Sequence, residues 1–120
     1  MRKILISGAS RGIGKAIAIR LLKEGHSISL GVRKKEDLIN TSLDPSTNNP
    51  EKLFVHKYDA NVNSSSKEWV ESTVKTFKNI DTVIHCAGIF KRTSLLFNDN
   101  EIKDIEDLWK VNVMGPWILT

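Results

Sequence analysis

Residues 3–14 read KILISGASRGIG, in which a short apolar run leads directly into a turn that contains three glycines. A continuous apolar run of this length, bounded by glycine, predicts a buried β-strand. The apolar residues from Ile13 to Leu22 recur at helical spacing and stop before Gly25, which predicts an amphipathic helix with a glycine just past its end. The three glycines therefore lie between the first strand and the first helix.

Glycine suits a strand-to-helix turn that binds phosphate for three reasons. It lets the chain turn sharply, it lets the backbone approach an anion closely, and it lets the helix pack near the strand. The free N–H groups and the positive end of the helix dipole then favour a negatively charged ligand. A nucleotide site is therefore favoured over a plain turn. The predicted binding residues in this turn are Gly8, Ser10, Arg11, Gly12, Ile13 and Gly14.

The spacing of the glycines excludes two common nucleotide motifs. A P-loop needs Gly-x-x-x-x-Gly-Lys followed by a hydroxyl residue that binds Mg²⁺. Gly14 and Lys15 match the end of that motif, but Ala9 and Ala16 stand where the first glycine and the hydroxyl residue would be. The spacing Gly-x-Gly-x-x-Gly does not match either. The sequence therefore disfavours hydrolysis of a nucleoside triphosphate.

The rest of the chain alternates predicted strands with predicted helices. Strands are predicted at residues 27–32, 53–55 and 81–86, and helices at 35–40, 64–77 and 105–113. Apolar strands that are joined through helices imply a parallel sheet covered by helices on both faces. The predicted fold class is therefore a doubly wound α/β sheet.

Several local features of these elements are also predicted. Ser64, Ser65 and Ser66 offer caps for the helix that follows, and residues 41–50 are rich enough in turn formers to predict a polar loop. The predicted apolar stripe of that helix consists of Trp69, Val70, Val74 and Phe77. The other Trp and Phe side chains are also expected in the core.

Composition excludes several classes of function. The 18 Lys and Arg residues are scattered among 14 Asp and Glu residues, so the net charge of +4 indicates a solvated surface and no nucleic-acid interface. No apolar run approaches the ~20 residues that span a bilayer, so we predict no membrane segment. The single cysteine excludes an intramolecular disulfide, and we predict no metal site and a cytoplasmic location.

The glycine spacing of residues 8–14 resembles the cofactor motif of the short-chain dehydrogenase/reductase family, in its classical branch. Three further motifs follow in the family's order. Asp59-Ala60, after the third predicted strand, resembles the family's adenine-binding aspartate; the alternative is that Asp59 only caps a loop. Residues 85–88, His-Cys-Ala-Gly, resemble the family's Asn-Asn-Ala-Gly, and Asn112 stands at the position of its catalytic asparagine. The resemblance covers essentially the whole chain.

The resemblance implies a Rossmann fold and a bound nicotinamide cofactor. It implies that Cys86, Ala87 and Gly88 lie against the adenosine portion of that cofactor. His85 and Cys86 replace the family's two asparagines, and we expect them to form a buried structural pair rather than a metal site.

The end of the second predicted strand indicates which nicotinamide cofactor is preferred. An NAD enzyme places an acid there to bind the ribose 2′-hydroxyl, but this strand ends at Val32 without one. Arg33 and Lys34 follow, and Arg11 lies in the glycine turn. Because a guanidinium can bind a 2′-phosphate through two hydrogen bonds, we predict a preference for NADP(H) over NAD(H).

The resemblance implies an oxidoreductase that transfers hydride between the nicotinamide and a small-molecule carbonyl or alcohol substrate. The family's chemistry rests on Asn, Ser, Tyr and Lys, of which the chain has only Asn112, whose implied role is to position a water relay. The one tyrosine, Tyr58, has Val62 where the family's Tyr-x-x-x-Lys spacing needs lysine. We therefore expect residues 1–120 to be the N-terminal portion of one dinucleotide-binding domain, incomplete at its C-terminal side and inactive alone.

An alternative remains open at this level. The chain could be a non-catalytic NADP-binding module or sensor, and the reading frame after codon 120 would separate the two hypotheses. For the full-length protein, the resemblance implies a homo-oligomer.

Overall fold

A four-stranded parallel sheet forms the centre of the computed structural model, which describes residues 1–120. Its strands are β1 (Lys3–Ser7), β2 (Ser27–Val32), β3 (Leu53–Lys57) and β4 (Thr82–His85). Their spatial order is β3-β2-β1-β4, so the chain moves outward from β1 to one side and then returns to the other. This reversal opens a crevice at the carboxyl ends of the strands. The predicted doubly wound α/β fold is confirmed, and β4 forms one edge of the sheet.

Helices cover both faces of the sheet. They are α1 (Gly12–Lys23), α2 (Asn63–Phe77), α3 (Asp99–Trp109) and α4 (Gly115–Leu119). A single wide π-type turn, Lys110–Met114, joins α3 to α4, so that these elements form one continuous helical segment. Short 3₁₀ turns occupy Lys35–Leu38 and Pro45–Thr47, the second within the predicted polar loop. None of the helices is long and apolar enough to cross a membrane.

Alternation along β1 divides the core into two layers. Ile4 and Ile6 belong to the larger cluster, which includes Ala18 of α1, whereas Leu5 packs with Trp69 of α2 on the other face. Successive side chains of a strand point to opposite faces, so one apolar run supplies both layers. The sheet is therefore held between α1 and α2, and the ends of its strands are fixed in position.

A buried polar network supports the end of β2. The indole Nε1 of Trp69 donates to Ser29 Oγ over 2.9 Å, and Ser29 Oγ lies 2.7 Å from Thr73 Oγ1. A Cβ atom at Gly31 would lie 2.6 Å from the indole ring, so only glycine fits above it. The buried indole therefore determines how closely β2 can pass above α2.

The buried faces of α1 and α2 differ from the predicted stripes. Ile13 is 77% exposed because it lies at the start of α1, beyond the part of the helix that packs on the sheet. In α2 the buried residues Trp69, Thr73 and Phe77 follow a spacing of four, and Val74 is exposed beside them. The predicted place of Val74 in the stripe is wrong, because Thr73 takes the buried position between Trp69 and Phe77. The Thr73 hydroxyl can be buried there because it donates to the Trp69 carbonyl.

The predicted serine caps of α2 are also wrong. The helix begins at Asn63, no side chain caps it, and Ser65 and Ser66 are buried inside its first turns. Ser65 Oγ accepts instead from the backbone N–H of Asp59 over 2.9 Å. The serine therefore connects the start of α2 to the segment that follows β3.

Two further expectations about burial are contradicted. His85 is exposed and Cys86 is half-buried, because β4 is an edge strand that packs against only one neighbour. They are therefore not a buried pair. Trp69 and Phe77 are buried as expected, whereas other aromatic side chains lie on the connection after β4 or on the exposed face of the last helical segment. These exposed side chains are Phe90, Phe97, Trp109 and Trp117.

Candidate functional site

A cavity of about 500 Å³ opens at the carboxyl ends of the strands. Four segments line it, each of which directly follows a strand: the glycine turn after β1, and the segments after β2, β3 and β4. All of the residues predicted to bind the cofactor line this cavity: Gly8, Ser10, Arg11, Gly12, Ile13, Gly14, Arg33, Asp59, Ala60, Cys86, Ala87 and Gly88. A reversal of strand order is where such sheets bind ligands.

The three glycines of the turn meet three different constraints. A Cβ at Gly8, where φ is +70°, would lie 2.5 Å from the backbone nitrogen of Ala87. A Cβ at Gly14 would lie 2.2 Å from the carbonyl oxygen of Gly8. At Gly12, where φ is +61°, nothing beyond the neighbouring residues of the turn and of α1 lies within 4 Å of the added atom. Gly8 and Gly14 are therefore required by packing, and Gly12 leaves open space at the cavity wall.

The start of α1 favours an anion beside this open space. Arg11 precedes the helix as its N-cap residue, and its side chain makes no capping hydrogen bond. The first turn contains no acidic residue that would offset the positive end of the helix dipole. The first N–H groups of α1 have no partner within the helix, and they can donate to a phosphate.

Ser7 holds the wall opposite the glycine turn. Its buried Oγ accepts from the backbone N–H groups of both Cys86 and Ala87, each over 3.2 Å. The hydroxyl therefore joins the ends of β1 and β4 and brings residues 86–88 to the cavity. The sequence does not indicate this role, because Ser7 is simply the last residue of a buried apolar strand.

Cations dominate the segment after β2. Arg33 and Lys34 follow the last residue of the strand, Val32, and both line the cavity. Asp37 lines it as well, from the 3₁₀ turn, although no motif in the sequence indicates this position. The fully buried side chain of Leu38 anchors that turn in the core, and the neighbouring charged side chains remain exposed.

The segment after β3 is fixed by its own hydrogen bonds. Asp59 Oδ1 accepts from the backbone N–H of Asn61 over 2.9 Å, so Asp59 does cap a loop while it also lines the cavity. The ring of Tyr58 is buried with its centroid 4.9 Å from that of Trp69, and burial raises the pKa of the Tyr58 phenol. Tyr58 is therefore a neutral part of the cavity floor.

Asn112 differs from the other predicted residues because it does not line the cavity. It lies in the π-type turn, where its Oδ1 accepts from the backbone N–H of Ile89 over 2.8 Å. Its Nδ2 donates to the carbonyl oxygen of Ile89 over 2.9 Å. Both ends of the amide are thus occupied in holding the connection after β4, and the predicted water relay stays a prediction.

Ion pairs between Lys91 and two aspartates of α3 also hold the connection that follows β4. Lys91 Nζ lies 3.0 Å from Asp104 Oδ1 and 3.2 Å from Asp107 Oδ2, and these hydrogen bonds raise the pKa of Lys91. Together with the pair between Asn112 and Ile89, the contacts hold the start of this connection against α3 and the π-type turn. Ile89 therefore lines the cavity in a defined position.

Sequence reasoning missed several residues of the cavity wall. They lie next to predicted residues along the chain or reach the cavity only through the fold: Gly31, Val32, Asp37, Tyr58, Asn61, Ile89 and Val111. Position at the end of a strand could have indicated Val32, and position after a strand could have indicated Asn61, because each adjoins a predicted residue. No local signal indicates Val111, which the last helical segment brings to the cavity.

Comparison with known proteins identifies the family. Residues 2–120 match the family model described as short chain dehydrogenase. The chain belongs to this family. Short-chain dehydrogenases bind a nicotinamide cofactor, and the cavity lies where their sheet topology places a ligand.

Individual members of the short-chain dehydrogenase family agree with this assignment. Agropine synthesis reductase of Rhizobium rhizogenes is 38% identical over 117 residues, which are 98% of this chain and 26% of the relative. NADPH-dependent pterin aldehyde reductase of Arabidopsis thaliana is 29% identical over 116 residues, 95% of this chain and 46% of the relative. The chain thus spans between about a quarter and a half of the length of these relatives.

A solved structure also superposes closely on the chain. A short-chain dehydrogenase/reductase from Brucella melitensis, described as glucose/ribitol dehydrogenase, matches with a TM-score of 0.86 and 26% identity. The match covers 98% of this chain and 46% of that structure.

Proposed function

We propose that residues 1–120 form the N-terminal, cofactor-binding portion of a dinucleotide-binding domain, in an oxidoreductase that uses NADP(H). The full-length protein would interconvert a small-molecule carbonyl compound and the corresponding alcohol. The observation that carries this proposal is the convergence of the glycine turn, the start of α1 and the cations Arg11 and Arg33 on one cavity. The carbonyl class is supported by the pterin aldehyde reductase that the chain resembles.

The cavity wall fits a dinucleotide part by part. The open space at Gly12, beside the unpaired N–H groups of α1, would take the pyrophosphate. Asp59 and Ala60 would contact the adenine, and residues 86–88 would pass along the ribose. The nicotinamide supplies or accepts the hydride when the cofactor is bound, and these residues of the chain orient it.

The cations on one side of the cavity favour a 2′-phosphate. Arg11 and Arg33 approach from different segments, and neither forms an ion pair with an acidic side chain. Their guanidinium groups can therefore donate to a phosphate without first breaking a protein contact. This arrangement supports a preference for NADP(H) over NAD(H).

Arg33→Asp should weaken NADPH binding by about 1–3 kcal/mol, the range for losing a charge-assisted contact. NADH binding should change much less, because NADH lacks the 2′-phosphate. Titration of the full-length protein with both cofactors measures the effect. Lys35→Asp is the matched control, because Lys35 is exposed in the same segment but does not line the cavity. Equal affinity for both cofactors, unchanged by Arg33→Asp, would contradict the proposal.

We further propose that residues 1–120 do not catalyse NADPH-linked carbonyl reduction when they are expressed alone. The reaction needs a positioned acid for the developing alkoxide, and an amide such as that of Asn112 does not titrate near neutral pH. Tyr58 is the only tyrosine, and its ring is buried against Trp69. NADPH oxidation with a panel of aldehydes and ketones measures this, and turnover by residues 1–120 alone would contradict it.

A further inference from the structure

The wall of the cavity after β2 carries an acid among its cations. Asp37 lines the same cavity as Arg33 and Lys34, with Arg11 contributed by the glycine turn. Asp37 is not the acid that binds the ribose 2′-hydroxyl in an NAD site, because that acid stands at the end of the second strand. Here β2 ends at Val32, and Asp37 follows five residues later.

The backbone of Asp37 is held in place. Its N–H donates to the carbonyl oxygen of Lys34 over 3.2 Å, and the next residue, Leu38, is fully buried in the core cluster. The carboxylate makes no hydrogen bond or ion pair with another side chain, although Lys34 and Lys35 are close in sequence. Its negative charge is therefore directed to solvent and to the cavity.

We propose that Asp37 limits the discrimination between NADPH and NADH. Its carboxylate repels the 2′-phosphate that Arg11, Arg33 and Lys34 attract, so the preference is smaller than the three cations alone would produce. A ribose 2′-hydroxyl carries no charge, and NADH is not subject to this repulsion. The inference rests on the proposed use of NADP(H) and names a residue that sets how strong the preference is.

Asp37→Asn removes the charge and retains the size of the side chain. For two like charges several ångströms apart near a solvated surface, Coulomb's law gives a gain in NADPH affinity of about threefold to tenfold. NADH affinity should change by less than about twofold, and the NADPH gain should shrink as salt screens the charges. Fluorescence titration of the full-length protein with NADPH and NADH, at low and high ionic strength, measures all of these quantities.

Glu36→Gln is the matched control for this experiment. Glu36 is the neighbouring acid of the same 3₁₀ turn and is also exposed, but it does not line the cavity. Its substitution should leave the ratio of the two affinities unchanged. A similar gain in this control would show that the net charge of the segment, rather than the position of Asp37, controls affinity, and would overturn the inference.

The outcomes separate this inference from the proposed function. If the wild-type protein prefers NADPH but Asp37→Asn leaves the preference unchanged, lowers it, or strengthens both cofactors equally, only the role of Asp37 is overturned. If the wild type binds both cofactors equally and Arg33→Asp changes neither affinity, the proposed use of NADP(H) fails and the inference fails with it. A selective, salt-dependent gain for NADPH supports both.

Discussion

Replacing Gly12 with valine is expected to abolish measurable NADPH binding while the sheet stays folded. Apart from its own stretch of α1 and its chain neighbours, no atom lies within 4 Å of a Cβ added at Gly12, because that position faces open space at the cavity wall. A branched side chain would occupy this space and separate a phosphate from the first N–H groups of α1. Each charge-assisted hydrogen bond lost costs about 1.5–3 kcal/mol, so losing two or more weakens binding by at least about 100-fold.

Backbone strain adds a smaller effect on stability. The φ of Gly12 is +61°, a left-handed conformation that costs an L-residue about 1–2 kcal/mol. Gly25→Val is the control for this strain, because Gly25 has a φ of +88° just past the end of α1 and does not line the cavity. Thermal unfolding should show similar losses for both variants, whereas cofactor titration should show lost binding only for Gly12→Val. Binding of NADPH by Gly12→Val with wild-type affinity would mean that the turn does not hold the phosphates.

The candidate site residues that the structure brings together in one cavity are those that closely follow a strand. The glycine turn after β1 and residues 86–88 after β4 could be placed at one site because parallel strands bring their carboxyl ends to the same edge. Residues that follow parallel strands can therefore be predicted to share a cavity before any contact between them is known. All the predicted cofactor residues line that cavity for this reason.

The errors arose where tertiary contacts decide the outcome. Serine is a residue type that often caps helices, but Ser65 lies within α2. Its hydroxyl is satisfied there because it accepts from the backbone N–H of Asp59. Trp109 follows the helical spacing of its apolar neighbours and yet is 58% exposed. Helical spacing shows that residues lie on one face of a helix, but it does not show whether another part of the protein covers that face. The side chain of Asn112 forms hydrogen bonds with the backbone of Ile89, which lies 23 residues away, so no local pattern indicates the contact.

Valine at Gly14 should destabilise the fold itself, whereas valine at Gly12 mainly prevents cofactor binding. Gly14→Val is expected to lower the free energy of unfolding by about 3 kcal/mol or more, as severe overpacking does. The new Cβ would lie 2.2 Å from the carbonyl oxygen of Gly8 and 3.0 Å from Cys86 Cβ. Gly8 cannot retreat easily, because its N–H donates to the carbonyl oxygen of Gly31 over 3.1 Å and thereby ties the turn to β2.

Ala16→Val isolates this steric effect from the preference of valine for non-helical conformations. Ala16 is exposed on the same helix, so its substitution should cost only the difference in helix propensity, about 0.7 kcal/mol or less. Urea unfolding of Gly12→Val, Gly14→Val and Ala16→Val compares the three positions directly. If Gly14→Val were as stable as Ala16→Val, the close contact between α1 and the turn would be wrong. A large loss at Gly14 alone would mean that the packing of α1 against the turn depends on Gly14 and not on Gly12.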